Sequence, residues 1–281
     1  MGNSKDMSTS IANGRIQLLY RKGGSYGDLY ITDFTRYNCD VYEATDANGK
    51  VTYNTVGEGK LLNKKGDLYI AKNGKPQLGG YATVTEEGNI RVRETNKKFQ
   101  TYAGNANSPY QLSWSNTFTY KDFTLYFLIN GRIGGKVVSL TESYLDRWGA
   151  SERTGEARLA AEKNGWYMED GRHGMMLNDG RDMIAVEDYY TFLGNTEASS
   201  YIYDATNFRL RELSLGYTFR NLFGEYKNLS ISFVCRNLFF IYNSAPVDPD
   251  ISLSTANGLG GIDVFNYPSP RQFGLNIKLN L

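Results

Sequence analysis

Histidine occurs once in this chain, at His173, and cysteine twice, at Cys39 and Cys235. A single imidazole in the loop-like run DGRHGMM supports neither a Ser-His-Asp set nor a histidine-based metal site. Two isolated cysteines without a spacing motif build neither a disulfide framework nor a thiolate metal centre. No apolar run reaches the roughly 18 residues of a membrane helix, and mean hydropathy is -0.47. An excess of one charge is also missing: 31 Lys+Arg face 30 Asp+Glu, so there is no basic stripe for nucleic acid. Proline is scarce, and four of the six (Pro246, Pro249, Pro268, Pro270) fall in one stretch near the C-terminus. Low mean hydropathy does not exclude a membrane, because the strands of a transmembrane barrel alternate lipid-facing with lumen-facing residues.

What the chain has is aromatic, glycine-rich and alternating. Aromatic residues make up 14%, with 22 Tyr, beside 30 Gly, a proportion that favours strands and turns. RIQLLYRKG (15–23), DLYITDF (28–34) and DLYIAKNGK (67–75) read as short strands, with turn signals at Asn13-Gly14 and Asn73-Gly74. In YQLSWSNTFTYKDFTLYFLINGRIGG, Leu112, Trp114, Phe118 and Tyr120 share one face, the chain turns at Lys121-Asp122, and Phe123, Leu125, Phe127 and Ile129 return on the same face. YIYDATNFRLRELSLGYTF sets Leu213, Leu215, Tyr217 and Phe219 against Ser214, Gly216 and Thr218. KNLSISFVCRNLFFIY sets Leu229, Ile231, Phe233 and Cys235 against Ser230, Ser232 and Arg236. The chain closes on RQFGLNIKLNL, with Phe273, Leu275, Ile277, Leu279 and Leu281 alternating with Gly274, Asn276, Lys278 and Asn280.

The connections alternate in length. KD and RNLFGEY are short, while 140–200 and 243–269 are long. Short turns at one end and long loops at the other are the pattern of outer-membrane barrels. SERTGEARLAAEKNG (151–165) predicts one short helix, with Thr154 as cap, Arg158 and Glu162 four apart, and Asn164-Gly165 as its stop. The expected fold is therefore all-β: an antiparallel transmembrane β-barrel portion of about eight strands. Its last strand would pair to avoid an open edge in lipid, and 140–200 would form a long extracellular loop region carrying the helix.

Four stretches carry a family resemblance. SPYQLSWSNTFTYKDFTLYFLINGRIGGKV, YIYDATNFRLRELSLGYTF, LSISFVCRNLFFIY with Asp248-Pro249-Asp250, and YPSPRQFGLNIKLNL resemble, in order and spacing, the C-terminal barrel portion of SusC/RagA-type TonB-dependent transporters. The match runs over most of the chain but only the last part of the family, and no plug or TonB-contacting pattern is visible. The resemblance implies a fragment of a larger barrel in the bacterial outer membrane. It implies import of glycans, with peptides as the other substrate class, beneath a SusD-like lipoprotein lid. Energy would come from TonB acting on the plug, with no cofactor and no chemistry on the substrate. The terminal strand resembles a barrel-assembly signal, with Leu281 where an aromatic residue is usual and Asn276 where Gly is common.

No catalytic or metal residues emerge. NGRIGGKV departs from a phosphate loop, with Asn130 in place of the first Gly and Val137 after the Lys, and reads as a strand end. Glu169-Asp170 reads as solvated loop charge. Arg209, Arg211 and Glu212 are expected in an ion-pair ladder or along the lumen. Trp148, Trp166 and Tyr167 are candidate substrate-binding residues, because an aromatic face packs against the C–H surface of a sugar ring; the alternative is that they pack the loop. Two rival functions stay open: a soluble all-β carbohydrate-binding module, which would purify without detergent, and a glycan-cleaving enzyme, for which no convincing carboxylate pair is present.

Overall fold

The computed structural model describes residues 7–20, 22–71, 74–93, 101–177, 183–221, 228–250 and 260–280. Strand accounts for 50% and helix for 15%. None of the described helices is long and apolar enough to cross a membrane. The chain forms two units. One comprises Met1–Gly24, Asp28–Ala103 and Leu140–Tyr201, the other Ser25–Gly27, Gly104–Ser139 and Ile202–Leu281.

The second unit is built on a five-stranded antiparallel sheet of β1 (Tyr110–Tyr120), β2 (Phe123–Ile133), β3 (Asn207–Phe219), β4 (Asn228–Asn243) and β5 (Gln272–Asn280). They lie in chain order. The Lys121-Asp122 turn forms as expected, with Tyr120 opposite Phe123. Lys121 takes a φ of 55°, a value that a tight hairpin loop demands. At the opposite end of β2 the chain turns through Gly134 and Gly135, at φ 73° and 86°, into a three-stranded sheet of Ile202–Asp204, Lys136–Ser139 and Ile262–Asp263. Val137, Ala205 and Ala245 are buried there. The five-stranded sheet is open: β1 and β5 are its edges.

In the first unit, Met7–Ile11, Ile16–Tyr20 and Asp28–Ile31 pair antiparallel. The expected strand over 67–75 is instead two isolated bridges, Arg36 with Leu68 and Ile70 with Pro76; residues 72 and 73 lie outside the described residues. Three helices follow: α1 (Leu140–Arg147), α2 (Glu152–Asn164) and α3 (Val186–Thr196). The sequence pattern predicts only α2. It also places the cap wrongly: Ser151, not Thr154, is the N-cap, accepting from the Thr154 N–H at 3.2 Å. Thr154 is buried and donates its hydroxyl to the Ser151 carbonyl at 2.8 Å. Gly165 ends α2 in the left-handed conformation at φ 68°, as the Asn-Gly stop predicts. Arg158 and Glu162 turn to other partners: Arg158 donates to the Gly149 carbonyl at 3.0 Å, and Glu162 lies 3.1 Å from His173.

Helices α1 and α3 pack closely because Gly194 has no side chain. A Cβ there would lie 2.6 Å from the Ser143 carbonyl oxygen. Phe34, Leu193 and Tyr201 form the buried centre, with Leu68, Tyr189 and Phe192 around it.

Candidate functional site

The alternation seen in the sequence becomes two chemically distinct sheet faces. On one face, aligned residues cross the strands in rows: Phe118–Leu125–Leu215–Phe233–Leu275, then Tyr120–Phe123–Tyr217–Ile231–Ile277. Trp114 packs edge-on against Phe127 at 5.1 Å, Phe123 against Tyr217 at 4.7 Å, and Phe233 stacks on Phe273 at 6.3 Å. These contacts run along the face, and among the described residues nothing covers it. Phe273, Leu275, Ile277 and Leu279 are 63%, 65%, 60% and 47% exposed, and Trp114 60%. Leu281 lies outside the described residues. On the other face the row Thr119–Thr124–Gly216–Ser232–Asn276 is polar. A contiguous apolar face of this extent marks contact with lipid or protein.

Arg209 and Arg211 break the simple odd–even pattern. Glu212 stands opposite Leu128, but Leu210 stands opposite Ile129, so Arg211 is an extra residue bulged from β3. A bulge re-aims the side chains beyond it. Arg209 accordingly stands opposite Asn130 and Phe240, on the face away from Leu213 and Leu215, and is buried. Its guanidinium lies over the Phe240 ring at 4.0 Å and 2.5 Å from Asp248, a charge contact rather than an aligned hydrogen bond. Arg211 donates to Asn237 at 3.1 Å and to Asp250 at 3.0 Å, and Asp250 also meets Arg132 at 3.3 Å. Burial raises the Asp248 carboxyl, but Arg209 and the Ser269 N–H outweigh it and hold the acid below its ordinary value. Glu212 pairs with Arg236 at 3.1 Å. The Asp-Pro-Asp run is thus the latch that ties the proline-rich connection to the polar face of the sheet.

The helical segment contains a cleft of about 490 Å³ lined by residues of α1, α2, α3 and the chain around His173. Trp148 lines it and is 75% exposed. Arg147 stacks on the indole at 5.3 Å. Arg158, Arg172, Tyr190 and Asn195 also line the cleft. Its floor is fixed by Asp146, a buried carboxylate that accepts from Ser151 at 2.6 Å, from Tyr201 at 2.8 Å and from Arg153 Nε at 2.9 Å. Burial works against the Arg153 cation, but Asp146 more than restores it and holds its pKa above the ordinary value. Burial first and Asp146 second push the Tyr201 hydroxyl far up, so it stays protonated as a donor.

The three aromatic candidates separate. Only Trp148 lines the cleft. Trp166 is half-buried and engaged through its backbone, donating to the Ala161 carbonyl at 2.9 Å and accepting from the Gly174 N–H at 2.9 Å. Tyr167 bridges His173, their rings 5.6 Å apart. Sequence reasoning read Arg158 only as a helix pair with Glu162 and did not single out Arg147 or Asn195, since polar residues of separate helices give no local signal of a shared cleft. Among the described residues no group of three potential metal ligands comes together.

No family model matches the chain, and no curated protein matches it. Solved structures do. A chain of the RagAB peptide importer in its open-open state is 14% identical with a TM-score of 0.48, covering 93% of this chain. The closed-closed state gives 13%, 0.45 and 94%, and a further structure of the RagAB peptide transporter 13%, 0.48 and 97%. The chain spans about a quarter of the length of each of these proteins (24%, 26% and 24%).

Proposed function

We propose that this chain forms part of the C-terminal barrel of a SusC-like, TonB-dependent nutrient transporter in the bacterial outer membrane. The uncovered apolar face of the five-stranded sheet carries this reading. Burying that face in hydrocarbon while the polar face meets a wet lumen satisfies both. Strands of 11, 11, 13 and 16 residues, β1 to β4, meet or exceed the roughly 9–11 needed to span the bilayer. The open edges at β1 and β5 would be paired by further strands of the same barrel, since an unpaired edge is not tolerated in lipid. In this reading 140–200 stands outside the membrane, a SusD-like lipoprotein is the partner above it, and TonB acts through a plug. The cargo is a glycan, with peptide as the second class, and the chain performs no catalysis.

Trp114 offers the test, because it sits on the apolar face. The full chain, reconstituted in phosphatidylcholine vesicles carrying brominated acyl chains, should show quenched tryptophan fluorescence that a Trp114→Phe variant loses. A stable, detergent-free monomer whose Trp114 escapes lipid quenching would overturn the barrel and favour the soluble carbohydrate-binding module.

A further inference from the structure

The cleft beside Trp148 has an uneven charge balance. Asp146 is fully engaged by Arg153, Ser151 and Tyr201. Arg172 is held by Asp170 at 2.7 Å and Asp188 at 2.8 Å, with Glu187 at 4.0 Å. His173 is taken by Glu162 at 3.1 Å. Among the described residues, Arg147 and Arg158 have no carboxylate partner. Both are nevertheless fixed in place. Arg147 lies over one face of the Trp148 indole. Arg158 uses one N–H for the carbonyl of Gly149, the residue after Trp148, and keeps the rest of its five donors. Gly149 itself holds φ 66°, and a Cβ on it would stand 3.1 Å from the Arg158 guanidinium, so this approach depends on glycine. The result is a flat, exposed indole with two positioned guanidinium groups beside it.

We propose that this cleft binds an acidic oligosaccharide, with a uronate ring on the free face of Trp148 and its carboxylate on Arg158, while Arg147 backs the opposite face of the indole. A pyranose ring offers C–H surface to the indole face. A carboxylate matches the guanidinium fork in a planar, charge-assisted pair. An acidic peptide shares the carboxylate but brings no ring to the indole, which decides between the two. The inference rests on the import reading for the role of the ligand as cargo, but the cleft itself is defined within the helical unit.

The full chain in detergent micelles is titrated with trigalacturonate, with its methyl ester and with triglutamate, following tryptophan fluorescence and calorimetric heat. Trigalacturonate should bind with an affinity that falls as salt rises. The methyl ester should bind at least about tenfold more weakly, as loss of one charge-assisted pair requires. R158Q should weaken trigalacturonate by about the same factor while circular dichroism stays unchanged, and W148L should remove the fluorescence response. Equal binding of acid and ester, equal binding of triglutamate, or no trigalacturonate binding by the folded chain would each overturn the proposal. The ester comparison needs no variant and so does not depend on folding of a mutant. Lipid quenching of Trp114 without uronate binding would overturn the cleft alone. Uronate binding by a chain that stays out of lipid would overturn the import reading alone.

Discussion

Leu215 stands directly opposite Phe233 in the antiparallel pairing of β3 with β4, yet the two remain 54% and 50% exposed. Their contact is made along the sheet, with no second layer above it among the described residues. A water-soluble sandwich would cover this face with another sheet. If lipid covers it, L215R in phospholipid vesicles should lower unfolding stability by about 2–4 kcal/mol, the cost of a cation near mid-bilayer on a barrel exterior. S214R, one residue away on the polar face, should cost far less. Urea unfolding followed by far-ultraviolet circular dichroism makes the comparison. Equal effects of the two variants would argue against an asymmetric environment.

Asp146 joins α1 to Arg153 of α2 and to Tyr201. D146A strands a largely buried cation and a buried hydroxyl together. A loss of about 3–5 kcal/mol is expected, as for removal of one member of a buried ion pair. Adding R153M should recover part of it, because the orphaned charge is then gone. A double variant no more stable than D146A would show that Asp146 acts through its other bonds.

Glu197 gives the first unit a pH dependence. Its carboxyl is fully buried, with Oε1 bonded to Ser199 and to the Ser200 N–H at 2.8 Å, while Oε2 has no partner among the described residues. Burial is the main cause that pushes its pKa from 4.5 up to about 7; Asp33 adds to this, and Ser200 and Arg36 oppose it. The folded state therefore binds the proton more tightly than the unfolded chain. The associated stability is present below about pH 4.5 and is lost as pH rises through about 7, with a magnitude of about 3 kcal/mol. E197Q should flatten that part of the profile. An unaltered slope in E197Q, measured by chemical denaturation between pH 5 and 8, would assign the dependence to another group.

Gly194 holds α3 against α1. With a Cβ only 2.6 Å from the Ser143 carbonyl oxygen, G194A has to move backbone, and overpacking of this kind costs about 1–3 kcal/mol. Alanine is otherwise the better helix former, by about 1 kcal/mol. A stabilised G194A in thermal unfolding would show that the two helices have room to part.

The long strands were legible because a period of two with small polar residues on one side leaves little choice of register. Phe273 to Leu279 and the Lys121-Asp122 hairpin fall where alternation puts them. The helices at 140–147 and 186–196 were not legible. VEDYYTFLGNT has no side-chain cap, since Ala185, which precedes it, makes no capping bond; LTESYLDR does follow Ser139, with Glu142 three residues on, but it is only eight residues long and gives little periodicity to read. Tertiary packing of Leu193 and Tyr201 forms them instead. At the cleft, Trp148 was visible as an unusual aromatic in a polar loop. Arg147 was not, and Arg158 was read only as a helix pair with Glu162, since their place in the cleft comes from where two helices meet.

The bulge at Arg211 also bears on what counts as a mutation in this strand. Alternation is a parity rule, and a strict odd–even count from Leu215 through Leu213 would put Arg211 and Arg209 among the apolar residues. One extra residue inverts the parity and sends Arg209 to Asp248. Composition alone does not keep that cation off the apolar face; an odd number does. Deleting Arg211 alone should therefore be mild for the register: Leu210 and Glu212 become neighbours opposite Ile129 and Leu128, every flanking side chain keeps its face, and what is lost is the bonding of Arg211 to Asn237 and Asp250. Deleting Leu210 together with Arg211 should be worse, because Arg209 and all that precedes it in β3 would change faces. The register of this strand is read in steps of two, and Arg211 is its remainder.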